Sequence, residues 1–176
     1  MGKRIVITGV PGVGKTTVVN GALEKLEKEG VSYQSINFGS FMFEVASNQK
    51  VVSDRDGMRK LPGNVQKDIQ RKAAQAIGKI EGNIIIDTHC TVKTPKGFLA
   101  GLPEWVLREL MPDMVILVET DEDQILSRRL NDPTRTRDPD SSKEIALHQE
   151  YNRAMAAAYG MVSGCTVKIV KNQDFL

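Results

Sequence analysis

The chain has 176 residues, enough for one domain with a full hydrophobic core, and its hydrophobic fraction of 40% argues against wholesale disorder. Its net charge of +2 and its aromatic content of 5% argue against a nucleic-acid-binding protein. The two cysteines, Cys90 and Cys165, have neither zinc-site spacing nor the pattern of a disulfide framework, and the first apolar run is too short for a signal peptide. We therefore expect a cytoplasmic location.

The first half of the chain alternates short β-branched runs with amphipathic helical patterns. Arg4 to Thr8 predicts a buried strand, and a glycine-rich turn separates it from a helix that begins near Lys15. The next predicted elements are a strand at 33–38, a helix at 41–46, a helix at 65–80 and a strand at 84–87.

The second half begins with residues 88–103, whose glycines and prolines predict a loop. Asp121 is placed to cap one helix, and Ser141 and Glu144 have the spacing of a capping box at the start of another. The predicted elements are helices at 104–110, 122–130 and 142–162 and strands at 114–119 and 166–170. This alternation predicts one α/β domain over residues 1–176, with a five-stranded parallel sheet and helices on both faces.

A complete GxxxxGK[ST] motif fills the turn after the first strand. Its glycines permit backbone conformations that a side chain would block, so that several N–H groups converge on phosphate oxygens at the positive end of a helix. Lys15 then supplies a cation to the β- and γ-phosphates of ATP, and the Thr16 hydroxyl reaches Mg²⁺. The predicted ATP-binding residues are Gly9, Val10, Pro11, Gly12, Val13, Gly14, Lys15, Thr16, Thr17 and Val18.

Acidic and basic residues elsewhere suit the chemistry of phosphoryl transfer. Asp87 ends a strand and is the second candidate for holding Mg²⁺, while His89 follows it and either binds an acceptor or is structural. Arg59 either holds an acceptor phosphate or forms a surface salt bridge. Four arginines fall within ten residues and either clamp phosphate groups or line a solvated surface, namely Arg128, Arg129, Arg135 and Arg137.

Several longer stretches resemble the archaeal-type adenylate kinases. They are IVITGVPGVGKTT, IIIDTH, TVKTPKGFLAGLP, SRRLNDPTRTRDPDS, HQEYNRAMAAAYG and TVKIVKN. The resemblance implies a P-loop NTPase fold, the reaction ATP + AMP ⇌ 2 ADP with Mg²⁺, an acceptor-binding insertion near 39–80, a lid near 128–141 and a homotrimer. It also implies that Arg128 packs on the donor adenine and that Arg137 contacts the transferred phosphate, so both join Lys15 as catalytic candidates.

The chain departs from the more widespread adenylate kinases at the acceptor site. Their acidic strand end continues Gly-Phe-Pro-Arg, whereas Thr88 to Thr91 here read Thr-His-Cys-Thr, and their acceptor-helix arginine is also missing. Arg59, His89 and Lys93 are therefore the candidate acceptor-binding residues, with Lys96 as a further substitute.

Two other functions compete with this interpretation. The first is a P-loop kinase that phosphorylates another nucleoside monophosphate or a small alcohol, and an alcohol would need Asp87 or His89 as a base. The second is a nucleotide-binding protein that is not an enzyme, such as a switch. A GTPase switch would carry Asn-Lys-x-Asp to read guanine, and this sequence lacks that motif.

Overall fold

The structure is a computed structural model, and it describes residues 2–58, 60–133 and 140–174. The strands are β1 (Arg4–Thr8), β2 (Tyr33–Asn37), β3 (Asn83–Asp87), β4 (Thr91–Thr94), β5 (Gly97–Ala100), β6 (Met114–Glu119) and β7 (Thr166–Lys171). The helices are α1 (Lys15–Lys28), α2 (Phe38–Asn48), α3 (Arg55–Met58), α4 (Gly63–Gly78), α5 (Glu104–Leu110), α6 (Glu122–Leu130) and α7 (Ser142–Ser163).

Five strands form the central sheet in the order β2-β3-β1-β6-β7, and all four pairings are parallel. β1 lies in the middle, so its carboxyl end and the glycine-rich turn that follows are flanked by the ends of β3 and β6. In the pairing of β1 with β3, Ile7 lies opposite Asp87. The predicted five-stranded parallel sheet is confirmed, and its register brings Asp87 beside the turn.

Helices cover both faces of the sheet because alternate residues of the central strands point to opposite sides. On one face Val6 packs in a core with residues of α2, α4, α5 and α7. On the other face Ile7 packs with Val19 of α1 and Ile125 of α6. The prediction of helices on both faces is therefore confirmed.

The segment 88–103, predicted as a loop, instead contains an antiparallel hairpin formed by β4 and β5. A tight turn joins the strands, and Gly97 has a φ of 120° there. Proline and glycine are typical of loops, so their presence in this turn led to a loop prediction for the flanking residues, which form strands. One face of the hairpin packs against α7, since the Phe98 ring stacks on that of Tyr151 with centroids 4.7 Å apart.

The predicted N-terminal caps of α7 and α6 differ in their outcome. The predicted capping box is present, because Ser141 accepts a hydrogen bond from the backbone N–H of Glu144 and Glu144 accepts one from that of Ser141. Asp121 does occupy the N-cap of α6, but its side chain makes no capping hydrogen bond. Its carboxylate instead accepts hydrogen bonds from Gln173. Among the described residues, no helix is long and apolar enough to cross a membrane.

Candidate active site

The glycine-rich turn has the backbone conformation that an anion-binding loop requires. Gly14 is the N-cap of α1 with a φ of 88°, and Gly12 has a φ of 94°. Both values lie in the left-handed region that favours glycine. A Cβ on Gly14 would also lie 2.4 Å from the Asn172 amide nitrogen. No side chain caps α1, so its first N–H groups are available to an anionic ligand.

Lys15 lies at the start of α1 and points toward the carboxyl end of β3. Its Nζ donates to Asp87 Oδ1 at 2.5 Å and to the Thr88 backbone oxygen at 3.3 Å. The two side chains are 15% and 23% exposed, so the ion pair is largely shielded from solvent. The fold thus unites the motif lysine with the strand-end acid across 72 residues of sequence.

The two residues predicted to hold Mg²⁺ offer suitable ligands for it. Thr16 is exposed in the first turn of α1, and Asp87 ends the strand beside the loop. Hydroxyl and carboxylate oxygens are hard ligands, and Mg²⁺ is usually held by one or two protein groups together with substrate phosphates. The donor chemistry of this pair therefore fits magnesium.

Arg128 lies on the outer side of the loop, near the end of α6. Its Nη1 donates to the Val13 backbone oxygen at 3.0 Å, and its Nη2 donates to Asp174 Oδ1 at 2.6 Å. Asn172 follows β7 and donates from Nδ2 to the same Val13 oxygen at 3.0 Å. Sequence reasoning missed Asn172, because only the pairing of β7 with β6 brings it to the loop.

Arg129, the neighbouring arginine, contacts the loop through a different carbonyl group. Its Nε donates to the Pro11 backbone oxygen at 2.7 Å, and its Nη1 donates to Asp140 Oδ2 at 2.8 Å. The Arg129 side chain is only 9% exposed. The sequence placed this residue in an arginine cluster but did not reveal its contact with the loop, because 118 residues separate the two partners.

Lys93, predicted to bind the acceptor, is held by carboxylates in this structure. Its Nζ donates to Asp140 Oδ1 at 2.6 Å and to Glu144 Oε1 at 3.1 Å. These hydrogen bonds raise the pKa of Lys93, so its ammonium group stays charged. His89 lies between β3 and the hairpin, and a Cβ on Gly101 would overlap its backbone oxygen. The acceptor role of both residues remains a prediction.

A buried polar network beneath the hairpin lies outside the predicted site. The Thr91 hydroxyl donates to Asn152 Oδ1 at 2.5 Å, so it accepts from His148 Nε2, which is 3.0 Å away. Burial lowers the pKa of His148 and raises that of the Cys90 thiol to about 12. A neutral, hydrogen-bonded histidine indicates a structural role for His148.

Three arginines of the sequence hypothesis lie outside the described residues. They are Arg59, Arg135 and Arg137. The acceptor role of Arg59 and the phosphate contact of Arg137 therefore remain predictions.

Known proteins resemble this chain in both sequence and fold. Residues 8–146 match the AAA domain family. The adenylate kinase of Methanoculleus marisnigri is 65% identical over 100% of this chain and 93% of its own length. That of Methanocaldococcus jannaschii is 53% identical over 99% of this chain and 92% of its own length.

A solved structure shows the same fold at low sequence identity. The crystal structure of shikimate kinase from Bacteroides thetaiotaomicron has a TM-score of 0.54 and 13% identity, covering 94% of this chain and 86% of that protein. The likeness shows the P-loop kinase fold alone. Because the sequence matches to archaeal enzymes run through the whole chain at more than half identity, the chain belongs to the adenylate kinases.

Proposed function

We propose that this chain transfers the γ-phosphoryl group of Mg-ATP to AMP and so forms two molecules of ADP. The observation that carries the proposal is the contact of Lys15 with Asp87 at the mouth of a glycine-rich loop whose helix end has no side-chain cap. A cation, an acid and a set of free N–H groups at one sheet edge suit a nucleotide polyphosphate. Residues 9–18 form the donor site, and the lid lies near 128–141.

Lys15 changes partner during the reaction that we propose. Without nucleotide, its ammonium group is neutralised by Asp87 at 2.5 Å. When ATP binds, the β- and γ-phosphates compete for that ammonium group, and Lys15 stabilises the charge that develops during transfer. The acceptor is itself an anionic phosphate, so no side chain has to act as a general base.

Magnesium enters our proposal as the cation that accompanies the donor phosphates. Thr16 and Asp87 would hold it, in part through water, and it would neutralise charge on the β- and γ-phosphates. Release of Asp87 from Lys15 frees carboxylate oxygen for this role.

For the acceptor site, we propose the insertion near 39–80 together with Arg59, His89 and Lys93. Asp140 and Glu144 hold Lys93 in this structure. To bind Lys93, the acceptor phosphate must therefore displace it from these two carboxylates. Arg128 and Arg137 complete the proposed catalytic set, with Arg128 over the adenine and Arg137 on the transferred group.

We further propose that the protein is a homotrimer, as its resemblance to the archaeal-type enzymes implies. Val92 and Leu99 pair across the hairpin and point away from α7, and they are 41% and 60% exposed. Two adjacent apolar side chains on one exposed face support the hairpin as a place where copies of the chain meet.

A coupled assay tests the reaction directly. ATP and Mg²⁺ are supplied with AMP, CMP, UMP, GMP or a small alcohol at equal concentration, and ADP formation is followed. AMP should be much preferred. A different preferred monophosphate would replace adenylate kinase with another nucleoside monophosphate kinase, and phosphorylation of a small alcohol alone would exclude monophosphates altogether. ATP binding without transfer to any acceptor would favour a nucleotide-binding protein that is not an enzyme.

A further inference from the structure

The outer side of the glycine-rich loop is held by side chains that do not belong to its motif. Arg129 donates to the Pro11 carbonyl oxygen, whereas Arg128 and Asn172 both donate to that of Val13. In a trans peptide the C=O and N–H groups point in opposite directions. Fixing these two carbonyl groups therefore fixes the N–H groups of Gly12 and Gly14 on the other side of the backbone.

Arg129 is held from two directions. Its Nε reaches the Pro11 oxygen at 2.7 Å, and its Nη1 reaches Asp140 Oδ2 at 2.8 Å. The aliphatic part of the Arg129 side chain also packs on the loop, since a Cβ on Gly12 would lie 3.0 Å from Arg129 Cγ. With a side chain only 9% exposed, this guanidinium has little room to leave the loop.

The Asp140 carboxylate contacts two cationic side chains and orients one of them, Arg129. One carboxylate oxygen accepts from Arg129, and the other accepts from Lys93 of β4 at 2.6 Å. Hydrogen bonds from these two cations outweigh burial and keep the pKa of Asp140 below its ordinary value. Lys93 also donates to Glu144, which belongs to the capping box of α7. The hairpin, α7 and the glycine-rich loop are thus joined by one chain of ionic hydrogen bonds.

We infer that Arg129 is a positioning residue that holds the donor-phosphate loop in its anion-binding shape, and that Asp140 orients it. The inference rests on the proposed role of residues 9–18 in binding ATP. Arg129 lies in the last turn of α6 and Asp140 precedes α7, so their ion pair joins the two ends of the segment 130–139.

A purely structural ion pair would explain the contact between Arg129 and Asp140 but not the contact with Pro11. A charged donor strengthens a hydrogen bond to a carbonyl group and polarises the peptide that carries it. The polarised peptide here joins Pro11 to Gly12, within the phosphate-binding motif itself. An effect on ATP affinity, separate from folding, therefore distinguishes the two interpretations.

The test combines calorimetric titration with thermal unfolding of nucleotide-free protein. Mg-ATP and AMP are titrated separately into wild type, Arg129→Ala, Arg129→Lys and Asp140→Asn. Arg129→Ala should weaken ATP binding on the order of tenfold, because a hydrogen bond from a charged group is lost. Lysine keeps the positive charge but has one nitrogen in place of the two that reach Pro11 and Asp140, so Arg129→Lys should restore only part of the affinity. Asp140→Asn should weaken ATP binding less than Arg129→Ala does. AMP affinity should not change in the two Arg129 variants, which keep the contact of Lys93 with Asp140.

The matched control is Arg108→Ala, which removes an arginine that is 72% exposed and pairs with Glu104 on the same helix. It should leave both affinities unchanged. If Arg129→Ala lowers the unfolding temperature but binds ATP like wild type, the positioning role is wrong. Should that variant fail to fold, unchanged ATP affinity in both Arg129→Lys and Asp140→Asn would equally overturn the positioning role. Failure of wild type to phosphorylate AMP would overturn the proposed function but leave these ATP titrations interpretable.

Discussion

At the scale of single residues, neighbouring groups decide which charges are available for chemistry. Lys15 carries the motif's positive charge, and Asp87 at 2.5 Å keeps it directed toward the sheet edge. A methionine has similar length but no charge, so it cannot contact the phosphates as an ammonium group does.

Lys15→Met should therefore lower the rate of phosphoryl transfer by about 10³-fold, the magnitude typical of losing a key electrostatic group. The coupled assay measures this, and circular dichroism should show an intact fold. Lys3→Met is the control, since Lys3 is 67% exposed and pairs with Asp113 at 3.7 Å. A Lys15→Met enzyme with near wild-type turnover would refute the catalytic role of Lys15.

Cys90 shows the opposite effect, a reactive group made inert by burial. Its side chain is enclosed beneath the hairpin, and burial raises its pKa to about 12. The thiolate is the nucleophile in thiol chemistry, so a thiol that stays protonated at pH 8 reacts slowly.

In a Cys165→Ala background, native protein at pH 8 should react with Ellman's reagent far more slowly than protein unfolded in guanidinium chloride. The released chromophore measures both rates. Equal rates in the two states would mean that Cys90 is accessible in the folded protein.

At the scale of elements, the hairpin and α7 are joined by buried polar groups as well as by aromatic packing. His148 donates to Thr91 and lies against the Phe98 ring, with centroids 5.0 Å apart. The charged groups that influence it are Arg129, Asp140 and Lys93, but burial is the largest effect and lowers its pKa. The folded chain therefore disfavours protonated His148 relative to the unfolded chain.

The direction of this pKa shift determines how the free energy of unfolding depends on pH. The unfolded state binds a proton at His148 more readily than the folded state does. The contribution of neutral His148 to the free energy of unfolding is therefore complete above the ordinary histidine pKa of about 6.5, and it is lost as the pH falls below that value. For one group the slope cannot exceed about 1.4 kcal/mol per pH unit. Urea unfolding between pH 8 and pH 5 should show this decline in wild type.

His148→Gln is the control because it keeps a hydrogen-bonding side chain but does not titrate. Its unfolding free energy should depend less on pH in the same range. Carboxyl groups do not produce this difference, since the pKa values of Asp140 and Glu144 are lowered and those groups titrate at more acidic pH. Identical slopes for wild type and His148→Gln would contradict the assignment.

At the scale of the whole molecule, the sheet order places the glycine-rich loop after the central strand, whereas the hairpin stands outside the main sheet. β1 is the third of five strands, whereas β4 and β5 form a separate two-stranded sheet. The hairpin exposes two adjacent apolar side chains, Val92 and Leu99, on its outer face.

If the chain forms the homotrimer that its resemblance to the archaeal-type enzymes implies, light scattering after size exclusion should give a mass near three times 19.4 kDa for wild type. Leu99→Asp should reduce that mass, because a carboxylate buried in an apolar interface is costly. Met111→Asp is the control, since Met111 is 58% exposed and ends α5 instead of lying on the hairpin. A wild-type mass near one chain at micromolar concentration would contradict the trimer.

Local patterns in the sequence were sufficient for most of the fold. The β-branched runs, the helical spacing of apolar residues and the capping box at Ser141 reflect hydrogen bonds and packing within a few residues, so one sequence window contains the information. The same holds for the glycine-rich loop, whose motif follows from backbone conformation. The hairpin was missed because Pro95 and Gly97 indicate a turn, whereas its strands depend on packing against α7.

Only the tertiary structure decided which residues share the candidate site. Lys15 meets Asp87 because β1 and β3 pair in one register, and a slip of one residue would turn the acid to the opposite face of the sheet. Arg129 and Asn172 reach the loop from the ends of α6 and β7, across 118 and 159 residues of sequence. No local pattern encodes such contacts, because they depend on how parallel strands are ordered and how helices pack over them.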